Sequence, residues 1–262
     1  MSTIIVSAFL INVNEKTDSQ IKTYIENGKK LLSTPIDKII YIDKSLSDEF
    51  KEYKNDKYTQ IIFVDKKLFY LYDYIDQITE FKIESDFPTK DTLEYLMLMC
   101  HKTEYMRYSI ELRGKEYQYI WLDFGINHVV SCDDEEFIDK ILSLNEKKYN
   151  KIRIGSIWDI TFINFYNNDP KLWLFSAFEG QLYYVHNMYE KICWKFSGGV
   201  FGGNSIFLIK FADMVKEKCL EIISERKTLT WEVNIWAMIY KDHPELFDLY
   251  ICDHNNTIID NY

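Results

Sequence analysis

The chain has 262 residues, 47% of them hydrophobic, and a net charge of −10. That is enough apolar material for one large core, and the acidic balance argues against nucleic acid as the main partner, because neutralising phosphates needs clustered Lys and Arg. No apolar stretch reaches the roughly 20 residues that span a bilayer. The cysteines, Cys100, Cys132, Cys193, Cys219 and Cys252, form no CxxC pair, which favours reduced thiols in a cytoplasmic compartment over a disulfide framework or a zinc site.

The first residues lack a basic leader region and turn polar at Asn12, so Thr3 to Leu10 reads as a buried strand and not as a signal peptide. Ile21, Tyr24, Ile25, Leu31 and Leu32 mark one face of a helix, and Lys38 to Ile42 and Thr59 to Val64 are two further strands. Short apolar runs alternating with helical patterns predict an α/β fold with a mainly parallel, Rossmann-like central sheet flanked by helices. Such a sheet places ligand loops at the carboxyl ends of its strands. A longer helix is expected over Asp91 to Ile110, where Thr92 precedes Tyr95, Leu96, Met99 and Met106 at helical spacing. Tyr117 to Leu122 is an aromatic and β-branched strand that stops at Asp123-Phe124-Gly125. Asp133 is placed to cap a short helix through Leu144, and Lys151 to Ile157 and Leu172 to Phe178 read as strands.

Ser197 to Asn204 contains Gly198, Gly199, Gly202 and Gly203 and reads as a glycine loop ahead of an amphipathic helix from Asn204, with Phe207, Phe211, Met214, Val215 and Ile222 inward. A second helix, Trp231 to Tyr240, stops before Pro244, and a strand over Leu249 to Ile251 leads into Cys252-Asp253-His254-Asn255-Asn256. No repeat, low-complexity tract or linker divides the chain, so 1–262 is expected to be a single domain.

Asp123 follows a rigid strand, and Gly125 admits a ligand or metal to the turn. A carboxylate there is suited to Mg²⁺ or Mn²⁺, or it simply caps the turn. His128 is a metal or phosphate contact, or a structural hydrogen-bonding group. The DFG tripeptide has no HRD-type catalytic loop before it, which argues against a protein kinase. The glycine segment matches neither GxxxxGK[ST] nor GxGxxG, yet it offers close backbone approach ahead of a helix amino terminus that favours anions. Glu232, at the start of a helix, either recognises an acceptor hydroxyl and assists as a base or answers the helix dipole. The polar segment 252–256 is able to close over a site.

Taken together, Val6-Ser7-Ala8-Phe9, Trp121 through His128, Gly198-Gly199-Val200-Phe201-Gly202-Gly203, Trp231 through Trp236 and Asp253-His254-Asn255 resemble the HtrL/YibB family. That family resembles glycosyltransferases of the GT-A fold, and the likeness spans nearly the whole chain. The resemblance implies a transfer from a nucleotide-sugar donor, a UDP-sugar, to a glycan or other hydroxyl acceptor, assisted by Mn²⁺ or Mg²⁺. It implies a donor half over 1–125 and an acceptor half over 126–262. It puts Asp123 where GT-A enzymes carry the first carboxylate of DxD, although Gly125 stands at the second. By the same analogy Ala8 and Phe9 contact the donor nucleotide, Lys102 faces its phosphates, and Asp253 or His254 supplies a late metal ligand. Gly198, Gly199, Gly202 and Gly203 shape the sugar pocket, with Trp231 and Glu232 beside the acceptor.

Three classes follow. A glycosyltransferase accounts for the strand-end carboxylate, the glycine segment and the supply of 20 Tyr and 6 Trp for stacking on sugars. A carbohydrate-binding or scaffold protein of the same fold accounts for the absent second carboxylate. A metal-dependent hydrolase would need more clustered ligands than the sequence carries.

Overall fold

The computed structural model describes residues 2–11, 17–158, 161–165, 172–176 and 183–262. Strands β1 (Thr3–Phe9), β2 (Lys38–Asp43) and β4 (Gln118–Leu122) are buried almost without interruption. That is why they read as continuous apolar runs: a parallel strand covered on both faces has no solvent side to alternate with. Strand β3 (Thr59–Val64) is only partly buried and lies at one edge of the sheet.

Among the described residues, β5 (Ile152–Ser156), β9 (Phe196–Asn204) and β10 (Phe247–Ile251) complete a seven-stranded sheet. Its order is β10-β5-β9-β4-β1-β2-β3, with β9 antiparallel to its neighbours and the other pairs parallel. This is the expected α/β architecture with a mainly parallel central sheet. A separate three-stranded antiparallel sheet is formed by β6 (Thr161–Phe165), β7 (Leu172–Ser176) and β8 (Tyr183–Asn187). Residues 177 and 178 of the strand expected over Leu172 to Phe178 lie outside the described residues.

Helices cover both faces. Helices α2 (Leu93–Arg113), α4 (Ser205–Arg226) and α5 (Glu232–Asp242) join Ile4, Val6, Trp121 and Phe201 in one core, which includes Phe211 and Trp236. Helices α1 (Asp18–Leu32), α3 (Asp134–Ser143) and α6 (Thr257–Asp260) join Ile5, Ile120, Leu122 and Val200 in a second core with Ile25, Phe137, Ile141 and Ile258. The odd and even residues of the central strands feed opposite cores, as the two-residue strand period requires. Helix starts follow the side chains the sequence offers. Thr17 and Gln20 form a reciprocal capping box, and the side chains of Thr92, Asp133 and Asn204 accept backbone N–H groups at their helix starts. No helix among the described residues is long and apolar enough to cross a membrane. All the cysteines are free thiols.

The glycine segment departs from expectation. It forms β9, a strand between β4 and β5, with only Asn204 acting as the helix cap. Gly202 and Gly203 are packed so tightly that a Cβ at either would overlap a backbone carbonyl oxygen, Tyr119 O in β4 or Lys151 O just before β5, and Gly203 has φ of +130°. Their side-chain-free backbone is a demand of sheet packing.

Candidate active site

The strand order reverses at β1, whose neighbours are β2 on one side and β4 on the other. Open α/β sheets form a ligand crevice at the carboxyl ends of strands that flank such a switch point. Here those ends carry Phe9 and Asp123, and because β9 runs the other way its first glycines, Gly198 and Gly199, arrive at the same edge. They open on a cleft of about 860 Å³, within the size range of small-molecule sites.

The floor of the cleft is built around Lys102, which α2 projects from below. Its side chain is 2% exposed, and its ammonium is 3.0 Å from Asp123 Oδ1 and 3.2 Å from Glu232 Oε1. It also donates to Gly198 O at 2.9 Å. Three N–H groups thus meet three acceptors, and the Trp121 ring lies 5.8 Å from the nitrogen, within cation–π range. Burial alone lowers the pKa of this ammonium, but Asp123 and Glu232 outweigh it, so Lys102 stands above the ordinary lysine value.

Asp123 is held from three directions. Its backbone N–H donates to Gly199 O at 2.9 Å, tying the end of β4 to β9. Trp121 Nε1 donates to Oδ1 at 2.7 Å, beside the Lys102 contact. The side chain is 39% exposed, so the carboxylate still presents surface to the cleft. Glu232 is 7% exposed and reaches the same lysine because Gly198 has no Cβ to obstruct its Oε1. Tyr95 is raised well above the ordinary tyrosine value by burial, then by Glu232 and Asp123. Tyr24 is raised by burial and by Asp123.

One wall is aromatic. Phe9 stacks on both Tyr24 and Phe124, at 5.8 and 5.2 Å between ring centres, and Tyr24 meets His128 edge-on. His128 Nδ1 is paired with Gly125 O. Lys90, Asp91, Lys191, Trp194 and His254 also line the cleft. His254 sits edge-on to Trp194 at 4.7 Å. Burial lowers its pKa, Asp253 opposes that, and Lys90 adds to the lowering.

Of the residues singled out in the sequence, Ala8, Phe9, Lys102, Asp123, Gly198, Gly199, Trp231, Glu232 and His254 line the cleft, as does His128. Asp253, Gly202 and Gly203 are not among its lining residues. Asp253 is 70% exposed and its Oδ1 accepts the His254 N–H. Tyr24, Tyr95, Trp121 and Trp194 were not singled out for the site, yet they border it. For Tyr95 a signal exists: Tyr95, Leu98, Met99 and Lys102 follow the i, i+3, i+4, i+7 spacing of one helix face, and all four line the cleft.

A protein-built Mn²⁺ or Mg²⁺ site needs converging oxygen ligands with charge to spare. Among the described residues no three His, Cys, Asp or Glu side chains converge in that way, and Asp123 Oδ1 is already engaged by an ammonium and an indole N–H. The donor set does not fit such a site.

No family model matches the chain, and no curated protein matches it either. Solved structures with a similar course include mouse xyloside xylosyltransferase 1, at 12% identity and a TM-score of 0.43, covering 95% of this chain and 84% of the other. The 4-diphosphocytidyl-2C-methyl-D-erythritol synthase from Anaerococcus prevotii aligns at 9% identity and a TM-score of 0.42, covering 96% and 86% of the two chains. HddC from Yersinia pseudotuberculosis aligns at 8% identity and a TM-score of 0.29, covering 98% and 91%. At such values none of the three bears on what this chain binds or does.

Proposed function

We propose that the chain is a glycosyltransferase that moves a sugar from a nucleotide-diphosphate-sugar, a UDP-sugar, to a glycan or other hydroxyl acceptor. The observation that carries this reading is the carboxylate of Asp123 at the switch point of the sheet, fixed beside Glu232 and presented to a cleft of about 860 Å³. In this reading the nucleoside lies along Ala8, Phe9 and Tyr24, and the sugar sits over Gly198 and Gly199, where the absent side chains allow close approach. The acceptor approaches from Trp194, Trp231 and His254, since aromatic faces suit sugar rings.

As the acceptor oxygen bonds to the anomeric carbon, the bond from that carbon to the diphosphate breaks and its electron pair leaves with the diphosphate. The acceptor proton passes to Asp123, whose carboxylate is positioned by Trp121 and Lys102. Glu232, buried against Lys102, keeps that ammonium in place.

A panel of nucleotide sugars and glycans, read by nucleotide release and product mass, tests the proposal. Asp123→Asn keeps the shape and the Trp121 contact but not the basicity, so transfer is expected to fall about 10²–10⁴-fold with an unchanged melting temperature. Equal turnover by the variant refutes the assigned role. Stabilisation by glycans with no response to any nucleotide favours a carbohydrate-binding protein of the same fold.

A further inference from the structure

We propose that Lys102 takes the place of a metal cofactor: its ammonium is the fixed cation of the site, so the chain binds a nucleoside diphosphate without a divalent ion. The choice of ligand rests on the nucleotide-sugar reading, whereas the place of the cation rests on the geometry of the floor alone.

A divalent ion in such a site has two tasks. It draws carboxylates together that would otherwise repel, and it offsets charge near the leaving group. Lys102 performs the first with its own side chain, touching Asp123 Oδ1 at 3.0 Å, Glu232 Oε1 at 3.2 Å and Gly198 O at 2.9 Å. It comes from the middle of a buried helix, is 2% exposed, and has no remaining N–H for a ligand, so it acts through the two acids as a positioning residue. A metal approaching Asp123 would face an ammonium 3.0 Å from Oδ1 of the same carboxylate, and like charges repel strongly at that range. The trio also carries one net negative charge where two bare carboxylates would carry two. Two more cationic side chains line the cleft, Lys90 and Lys191, the latter paired with Glu84 at 2.8 Å.

The test measures binding as well as turnover. UDP, GDP and CDP are titrated calorimetrically into the whole chain with Mn²⁺ and with chelator. The dissociation constant is expected to differ by no more than about twofold, as for ligands that do not share a site. Paramagnetic resonance of Mn²⁺ added to the protein alone is expected to show the free aqua ion. Lys102→Ala leaves two uncompensated carboxylates and a space beside them, and is expected to bind Mn²⁺ at least about tenfold more tightly than wild type. A merely structural lysine predicts no such gain.

Nucleotide binding that requires Mn²⁺, or a wild-type chain that immobilises the ion, overturns the proposal and leaves the nucleotide-sugar reading standing. A folded Lys102→Ala with no gain in Mn²⁺ affinity also overturns it. If no nucleotide binds under either condition, the nucleotide-sugar reading fails, and the resonance comparison of wild type with variant still decides the place of the cation. If Lys102→Ala does not fold, as circular dichroism would reveal, the wild-type titrations decide.

Discussion

A single added methyl group should separate the glycines that build the sheet from those that border the cleft. At Gly202 the new Cβ would overlap Tyr119 O and lie 2.8 Å from Ile120 Cα and 2.6 Å from Tyr262 Oη. Two of those atoms are backbone of β4 and cannot swing aside, so the ladder itself must open. At Gly203 it would overlap Lys151 O from a backbone at φ +130°. At Gly199 the nearest atoms are the tips of two flexible side chains, Ile126 Cδ1 at 3.2 Å and Ile258 Cδ1 at 3.3 Å, with Asp123 Oδ2 at 3.7 Å. Overpacking costs about 1–3 kcal/mol, and the two sheet glycines belong at the upper end because no rotamer relieves them. The positive φ adds about 1–2 kcal/mol at Gly203. With about 2–4 °C lost per kcal/mol in a chain of this size, Gly202→Ala should melt roughly 6–12 °C below wild type and Gly203→Ala roughly 8–20 °C below it. Gly199→Ala should stay within about 3 °C while altering ligand binding, because its methyl enters the cleft beside Asp123. Thermal and urea unfolding followed by circular dichroism give the stabilities, and nucleotide titration gives the binding. A Gly202→Ala that melts with wild type, or a Gly199→Ala that loses as much stability as Gly202→Ala, would refute this division of the glycines.

Lys38 has no exposed surface and donates to Thr34 O at 2.6 Å. Burial lowers its pKa to about 8, against the opposing pull of Asp56 and Asp37. The unfolded chain, at about 10.4, therefore binds more protons between those two values, and stability rises with pH across that window. The stability of wild type minus that of Lys38→Met should grow by about 2 kcal/mol from pH 8 to pH 10, and a flat difference in urea titrations contradicts the burial argument. Asn234 is fully buried: its amide donates to Met188 O at 2.8 Å, Lys191 O at 2.8 Å and Thr230 Oγ1 at 3.0 Å, and its oxygen accepts from Cys193 N at 2.7 Å. Asn234→Ala strands these groups and should cost about 3 kcal/mol. It should also weaken ligand binding through Lys191 and Ile192, which border the cleft; a variant that unfolds at the wild-type urea midpoint would show the network to be dispensable.

Local patterns carried much of this architecture into the sequence. Buried parallel strands announce themselves as apolar runs, as in Lys38–Asp43 and Gln118–Leu122, and helix starts as capping side chains, as at Thr92, Asp133 and Asn204. Asp123 was legible for the same reason: it is the first residue past the run Tyr119-Ile120-Trp121-Leu122, whose side chains are buried. The glycine segment was misread because a turn and a crowded central strand make the same local demand, the absence of a Cβ. Only the neighbours, Tyr119 O and Lys151 O, distinguish them. Lys102 could be named only through a resemblance, since a lysine on a helix is ordinarily a solvated charge. Its burial comes from α2 being covered by α4 and the sheet. The convergence of Lys102, Asp123 and Glu232, which are distant in the chain, was decided by tertiary structure alone: it depends on strand order, on β9 running antiparallel so that Gly198 arrives at the same edge, and on α5 starting at Glu232. Sequence determines which faces seek burial, and three-dimensional packing determines which distant charges must then neutralise one another.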